Sequence, residues 1–163
     1  MTVALGTTLV ALSIDTLLKK GEYVRIEDAR TNGTDIGIGM LVTRFAETFP
    51  DIDLCAVIEA IFGQVIGINT SKHPVHDNGP WYNDFDNPYA NDIWVRVGIL
   101  KPESIYLVLS ETNTTIAVGN KLKCVDGVLA VADTSDNFQF IANTPIAGAG
   151  NTRKYFYATF VKN

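Results

Sequence analysis

From residue 93 onward the chain is written in short runs of alternating character. Ile93, Val95, Val97 and Ile99 alternate with Trp94, Arg96 and Gly98, the period of two that sends one set of side chains to a buried face and the other outward. Lys101-Pro102-Glu103-Ser104 reads as a turn, and residues 105–109 are apolar on both faces. Residues 119–132 then read as strand, Asp126-Gly127 turn, strand. Asp-Gly between apolar runs marks a two-residue hairpin, because a turn matched to strand twist needs positive φ, which glycine supplies without steric cost. A short strand at 138–142, a Pro/Gly/Ala-rich turn at 145–150 and a closing strand at 154–161 complete this half. Short strands at near-regular spacing with turn signals between them predict an all-β barrel or sandwich of antiparallel strands.

The first half carries the same signals more loosely. Residues 22–27 alternate as a half-buried strand does, residues 30–34 form a polar turn around Asn32-Gly33, and 36–42 resume as a strand whose glycines point to a bulge or a close backbone approach. Residues 51–62 fit either a helix or a buried strand, and 64–68 is β. Residues 1–18 fit an extended arm, an edge strand or a short helix near 13–18; the domain organisation predicted is an N-terminal arm over 1–18 and a single β domain over 19–163, with a long irregular insertion at about 70–91. Two short internal echoes are present: 21–28 resembles 119–126, and 64–70 resembles 139–144.

Composition narrows the functions. Net charge is −5, and the 13 basic residues are scattered with no stripe among them, which argues against nucleic acid as the partner. Asp15, Lys19, Glu47, Asp53 and Glu59 interrupt every candidate membrane span, and no basic segment precedes the apolar start as a secretion signal would need. A soluble protein made in a cytosol is the expectation. Cys55 and Cys124 sit in apolar contexts without metal-ligand spacing; two buried thiols is the plainer reading, and a disulfide between them is the other.

Candidate chemistry is sparse. No nucleophile-elbow, phosphate-loop, dinucleotide or zinc-protease motif occurs, and only His73 and His76 offer an imidazole base. His73-Pro74-Val75-His76-Asp77, with Asp84 and Asp86 downstream, could surround a metal, yet Pro74 and Gly79 predict irregular backbone where such ligands need rigid support. The expectation is no metal, no cofactor and no enzymatic activity. Trp81, Tyr82, Phe85 and Tyr89 in the same loop either pin it to the barrel or form an exposed contact patch. Thr2, Val3, Leu5, Leu9 and Val10 lie in an arm that alternates apolar and hydroxyl residues; it either pairs within its own domain or adds a strand to a partner's sheet.

The order of elements carries a resemblance. Asn91-Asp92-Ile93-Trp94-Val95-Arg96-Val97 leads through a turn to Thr114-Thr115-Ile116-Ala117-Val118-Gly119. The Asp-Gly hairpin ending Val128-Leu129-Ala130-Val131-Ala132 follows, then 138–142, the Ala147–Gly150 loop and the aromatic strand 155–161. This resembles the capsid decoration (cement) proteins of tailed bacteriophages and related viruses, well over 92–163 and loosely over 20–70. The resemblance implies a non-enzymatic β-barrel on the outside of the virion, made in the host cytoplasm. It binds major capsid protein subunits where they meet, commonly as a homotrimer with an N-terminal arm on the shell. Partner-contact candidates are Thr2, Val3, Leu5, Leu9, Val10, Trp81, Tyr82, Phe85 and Tyr89. The alternative from another class is a β-sandwich module that binds a glycan or other surface through the 81–89 aromatics; a metal-dependent enzyme built on His73 and His76 is a third.

Overall fold

A computed structural model describes residues 3–4, 17–32, 36–44, 51–54, 60–69, 93–133, 138–147 and 153–162. Every named element among them is a β-strand, in agreement with the all-β expectation. In chain order they are β1 (Val3–Ala4), β2 (Leu18–Lys20), β3 (Tyr23–Thr31), β4 (Leu41–Arg44), β5 (Asp51–Leu54), β6 (Gly63–Ile68), β7 (Trp94–Leu100), β8 (Ile105–Leu109), β9 (Lys121–Val125), β10 (Val128–Val131), β11 (Phe140–Ala142) and β12 (Arg153–Phe160).

Strands β3 to β7 close into a barrel in the order β3-β5-β4-β6-β7. Closure is made by a short parallel pairing of Arg30–Thr31 with Asp51–Ile52. The remaining strands form a second sheet in the order β10-β9-β11-β12-β8-β2, with β1 off this path and paired to β12. It curls until Ser110, just past β8, meets Leu129 of β10 in a parallel bridge. Matching β3, β4, β5, β6 and β7 to β8, β9, β10, β11 and β12 gives the same neighbours with the same directions all round the ring.

The match extends to single atoms. Thr31 and Ser110 are both fully buried hydroxyl residues at the closing parallel pair. The Thr31 hydroxyl accepts from the N–H of Ile93 at 3.0 Å, and the Ser110 hydroxyl accepts from the N–H of Lys154 at 3.0 Å. The backbone N–H of Thr31 donates to Ile93 O and that of Ser110 to Lys154 O, while the next residues, Asn32 and Glu111, donate to Ile52 O and Leu129 O. Before β4, Gly39 takes φ 85°; before β9, Gly119 takes φ 88°. The Gly39 N–H donates to Val65 O and the Gly119 N–H to Ala142 O, and in each case the following residue donates back three positions, Met40 to Gly37 and Asn120 to Ala117. Strands β3 to β12 are therefore a tandem repeat of one five-stranded unit.

The repeat re-sorts the two sequence echoes. The pair 64–70 and 139–144 falls on equivalent strands, β6 and β11, slipped by two positions, since Leu41 faces Gln64 where Lys121 faces Ile141. The pair 21–28 and 119–126 falls on β3 and β9, which are not equivalent. Two local expectations also change. Arg30 and Thr31 belong to β3 rather than to a turn, because the hydroxyl of Thr31 takes up the Ile93 N–H and lets a polar side chain sit buried at the closure. Residues 36–40 make a turn and the strand starts only at Leu41, because Gly39 takes a positive φ and the Met40 N–H donates back to Gly37 O, closing a tight turn before the strand. The ambiguous segment at 51–62 begins as strand, β5.

The Asp126–Gly127 hairpin is as expected. Asp126 and Gly127 have φ 49° and 82°, the two positive values of a type I′ turn. The glycine carries a second constraint. A Cβ there would lie 2.7 Å from Leu54 Cδ2 and 3.1 Å from Leu41 O, so the tip of the second barrel's hairpin touches the backbone of the first. Replacing Gly127→Ala is expected to lower stability by about 2 kcal/mol, combining positive-φ strain with overpacking; urea unfolding followed by circular dichroism measures it.

Candidate functional site

Two hydrophobic clusters run through the described residues. One fills the first barrel with Ala29, Ile36, Val42, Ile52, Val65, Ile93, Val95 and Val97. The other fills the second barrel and continues out of it to take in Tyr23, Ile38, Met40, Leu41, Ile61, Ile66 and Leu100. Those seven belong to the outer face and rim of the first barrel, so the seam between the barrels is itself core. This is why 105–109 is apolar on both faces: Val108 lies inside its barrel, and Leu107 and Leu109 face the neighbour.

Gln64 is the polar centre of the seam, and it is fully buried. Its Oε1 accepts from the Tyr23 hydroxyl at 2.7 Å, while its Nε2 donates to Gly39 O at 3.0 Å and to Leu107 O at 2.6 Å. Every polar atom of that amide is engaged, across both barrels, as a group withdrawn from water requires. Tyr155 of β12 reaches the other way, its hydroxyl donating to Ile38 O at 3.1 Å and its ring lying against Gly39. The Leu41 N–H donates to Gly127 O at 2.9 Å.

A second polar group fixes the crossover between the barrels. The Tyr23 and Tyr106 rings stack at 5.0 Å, and Gly98 lies under Tyr23 with no room for a Cβ. Tyr106 donates to Glu22 O at 2.6 Å and accepts from the Lys101 N–H at 2.9 Å. Glu22 and Lys101 pair on the surface; each favours the charged form of the other, Glu22 shifted down and Lys101 up through their hydrogen bond. Burial raises the pKa of Tyr23, and its proximity to Tyr106 adds to the rise. Burial also raises Tyr106, against the opposing N–H of Lys101.

The repeat gives each seam surface a counterpart on the other barrel. The surface the first barrel gives to the seam is the outer side of β4, β6 and β7 with the Ile38–Gly39 turn. Its counterpart on the second barrel is the outer side of β9, β11 and β12, carrying Lys121 for Leu41, Ile141 for Gln64, Asn120 for Met40 and Val118 for Ile38. There Val118 is 62% exposed, and nothing lies within 4 Å of the Cβ position of Gly119. The surface the second barrel gives to the seam is the outer side of β8 and β12. Its counterpart on the first barrel is the outer side of β3 and β7, where Asp28 faces Arg96 and Arg30 faces Trp94. Asp28 and Arg96 are exposed and Arg30 and Trp94 half-buried, and Arg30 Nε holds Asp51 Oδ1 at 2.8 Å.

Of the contact candidates read from the sequence, Val3 alone is within the described residues: its backbone and that of Ala4 pair in parallel with Arg153 and Lys154 at the start of β12. Thr2, Leu5, Leu9, Val10, Trp81, Tyr82, Phe85 and Tyr89 lie outside them, as do Cys55, His73 and His76. Cys124 is buried in the second barrel, its N–H donating to Gln139 Oε1. Among the described residues no group of His, Cys, Asp and Glu is placed to hold a metal, and no helix is long and apolar enough to cross a membrane. The exposed apolar residues Val24, Ile26, Val118 and Val131 were not singled out by sequence. Each is an ordinary strand or turn residue, and only the repeat gives Ile26 and Val118 counterparts for comparison. No protein-family model matches the chain and no curated protein matches it.

Two outcomes follow from the seam. Gln64→Leu leaves the Gly39 and Leu107 carbonyls and the Tyr23 hydroxyl without their partner, and should cost about 3 kcal/mol in denaturant unfolding. Tyr23 and Tyr106 keep their protons in the folded state above the pH at which unfolded tyrosine ionises. Their contribution is whole below about pH 10 and declines as pH rises beyond it. Tyr23→Phe should make the alkaline fall in melting temperature shallower.

Proposed function

We propose that this chain is a non-enzymatic virion structural protein that binds the outer surface of an assembled capsid and stabilises contacts between major capsid protein subunits. One observation carries the reading. The residues that resemble the decoration proteins, 92–163, span one complete unit of the repeat, β8 to β12, together with β7 that leads into it. The glycine and turn signals of the resemblance thus belong to a single closed fold, with the Val118–Gly119 turn and the Asp126–Gly127 hairpin at its ends.

The physical demands of such a role are a rigid body and surfaces that complement a repeating lattice. Two barrels welded through a buried seam supply the rigidity, and β1 pairs in parallel with the start of β12, a backbone contact that any extended segment can make. Many weak sites on a lattice become strong when the binder presents several contacts at once.

Co-sedimentation tests the reading. The full chain should pellet with expanded capsids of its source virus and stay in the supernatant without them. Deleting residues 2–14, which removes β1, should weaken retention about tenfold by loss of one contact among several. Failure of the intact chain to bind those capsids overturns the proposal. Saturable sugar binding that Trp81→Ala abolishes would instead establish the glycan-binding module.

A further inference from the structure

We propose that the free edge of β3 pairs with the same edge of a second copy of this chain, antiparallel about a two-fold axis at Ile26, so that two first barrels join into a dimer through one continuous sheet.

On one side of β3, β7 pairs along it from Tyr23 to Arg30. On the other side β5 reaches only Arg30 and Thr31, and among the described residues no strand pairs with the rest of that edge. The Thr31 N–H donates to Ile93 O, and the register with β7 runs unbroken from Arg30 back to Ile26. Alternate residues of an antiparallel ladder turn their N–H and C=O to opposite sides, so those of Ile26 and Asp28 point away from β7, toward the open edge. Val24, Arg25, Ile26 and Asp28 are all exposed. The repeat shows what such an edge accepts. On the equivalent edge of β8, β2 lies antiparallel, with Leu18 opposite Tyr106 and Lys20 opposite Ile105, and Ile105 is the counterpart of Ile26. The first barrel presents the same edge without that strand.

Charge pattern selects a second copy as the occupant. Edge strands are commonly blunted by charges that repel another strand, but here the charges flanking Ile26 are opposite in sign. Arg25 and Glu27 lie on one face, 3.5 Å apart. With Ile26 opposite the partner's Ile26, Arg25 faces the partner's Glu27, and Glu27 faces the partner's Arg25. An axis at Arg25 or at Glu27 would instead set like charges directly opposite each other, which is unfavourable across a strand pair. Glu27 is ready for this contact: Arg25 and Arg44 both meet its Oε2, and among the described residues its Oε1 holds no cation. On the other face, Ile26 meets the partner's Ile26, with Val24 of each copy on the diagonal. These side chains are 37% and 53% exposed in the single chain, and the pairing withdraws them from water. Asp28, beside Arg96 of β7, stands at each end of the apolar patch as a polar rim. A self-complementary contact of this kind closes at two copies, unlike the homotrimer that the resemblance implies.

The contact needs nothing from a capsid, so failure of co-sedimentation would leave it standing. Sedimentation velocity on the full chain from about 1 to 200 μM should show a monomer giving way to a dimer, less so at higher ionic strength. Amide hydrogen exchange at Ile26 and Asp28 should slow as the dimer forms, because both N–H groups leave water for a ladder. Ile26→Lys and Ile26→Glu each place like charges on the axis, and each should lower the association constant at least about tenfold while leaving the circular dichroism spectrum unchanged. Mixing those two variants is the decisive arm. Opposite charges then meet on the axis, and a one-to-one dimer should return although neither variant forms one alone. A wild-type chain that stays monomeric at about 200 μM overturns the proposal. So does a trimer, a dimer indifferent to Ile26→Lys and Ile26→Glu, or a variant mixture that fails to pair.

Discussion

The fold depends on one buried amide. Gln64 sits where water is excluded, and each of its polar atoms is matched to a group whose position is set by a different element: the Tyr23 hydroxyl at the start of β3, the Gly39 carbonyl in the turn before β4, and the Leu107 carbonyl in β8. An amide in such a place is costly if any partner is displaced. The two barrels therefore share one relative position, which apolar contact alone would define less sharply. Tyr155 and Gly127 add bonds of the same kind from the second barrel to the first.

Repetition explains why the barrels look different in sequence while sharing a backbone. Interior positions keep their character: Ala29 and Val108, Ile36 and Ile116, Val42 and Leu122, Ile52 and Leu129 are buried pairs, and the closure hydroxyls Thr31 and Ser110 are both retained. Outer positions are free to diverge, and they do so according to what covers them. Leu107 and Leu109 are apolar because a barrel lies on them, whereas the exposed Asp28 and the half-buried Arg30, which holds Asp51, occupy the equivalent places. The final strand follows the same logic. It is apolar on both faces because one face lines its own barrel and the other, at Tyr155, lies against the first.

Much of this was written legibly in the sequence. Strands β7 to β12 follow from alternation and turn chemistry, and the Asp126-Gly127 pair specified its turn type outright, because few residues other than glycine tolerate the second positive φ. The closures were harder. A buried threonine at the end of β3 looks like the polar start of a turn until its hydroxyl is seen holding the Ile93 N–H. The repeat was nearly invisible because its strongest determinants are hydrogen bonds and a backbone angle shared by unlike residues. Met40 and Asn120, or Gly37 and Ala117, do equivalent work with nothing in common as side chains. The seam lay beyond reach for a related reason: Gln64 reads as a polar residue at a strand start, and only the approach of β8 makes it central.

The order of the two barrels along the chain has a consequence for synthesis. The first barrel closes on itself with strands that all precede residue 101, so it is complete while the second is still being made. Until 105–160 emerge, Ile38, Met40, Leu41 and the Gln64 amide have no cover. At ordinary elongation rates of about 5–20 residues per second, that interval lasts for seconds, long compared with the microseconds a hairpin takes to form. The nascent chain thus passes through a stage in which a folded barrel carries an apolar, hydrogen-bonding surface open to any neighbour. The hairpin carrying Asp126 and Gly127 is a local structure that forms quickly once made, and its turn is among the groups that dock on that surface. In the folded chain that turn covers Leu41 from within the same molecule, the Leu41 N–H donating to Gly127 O.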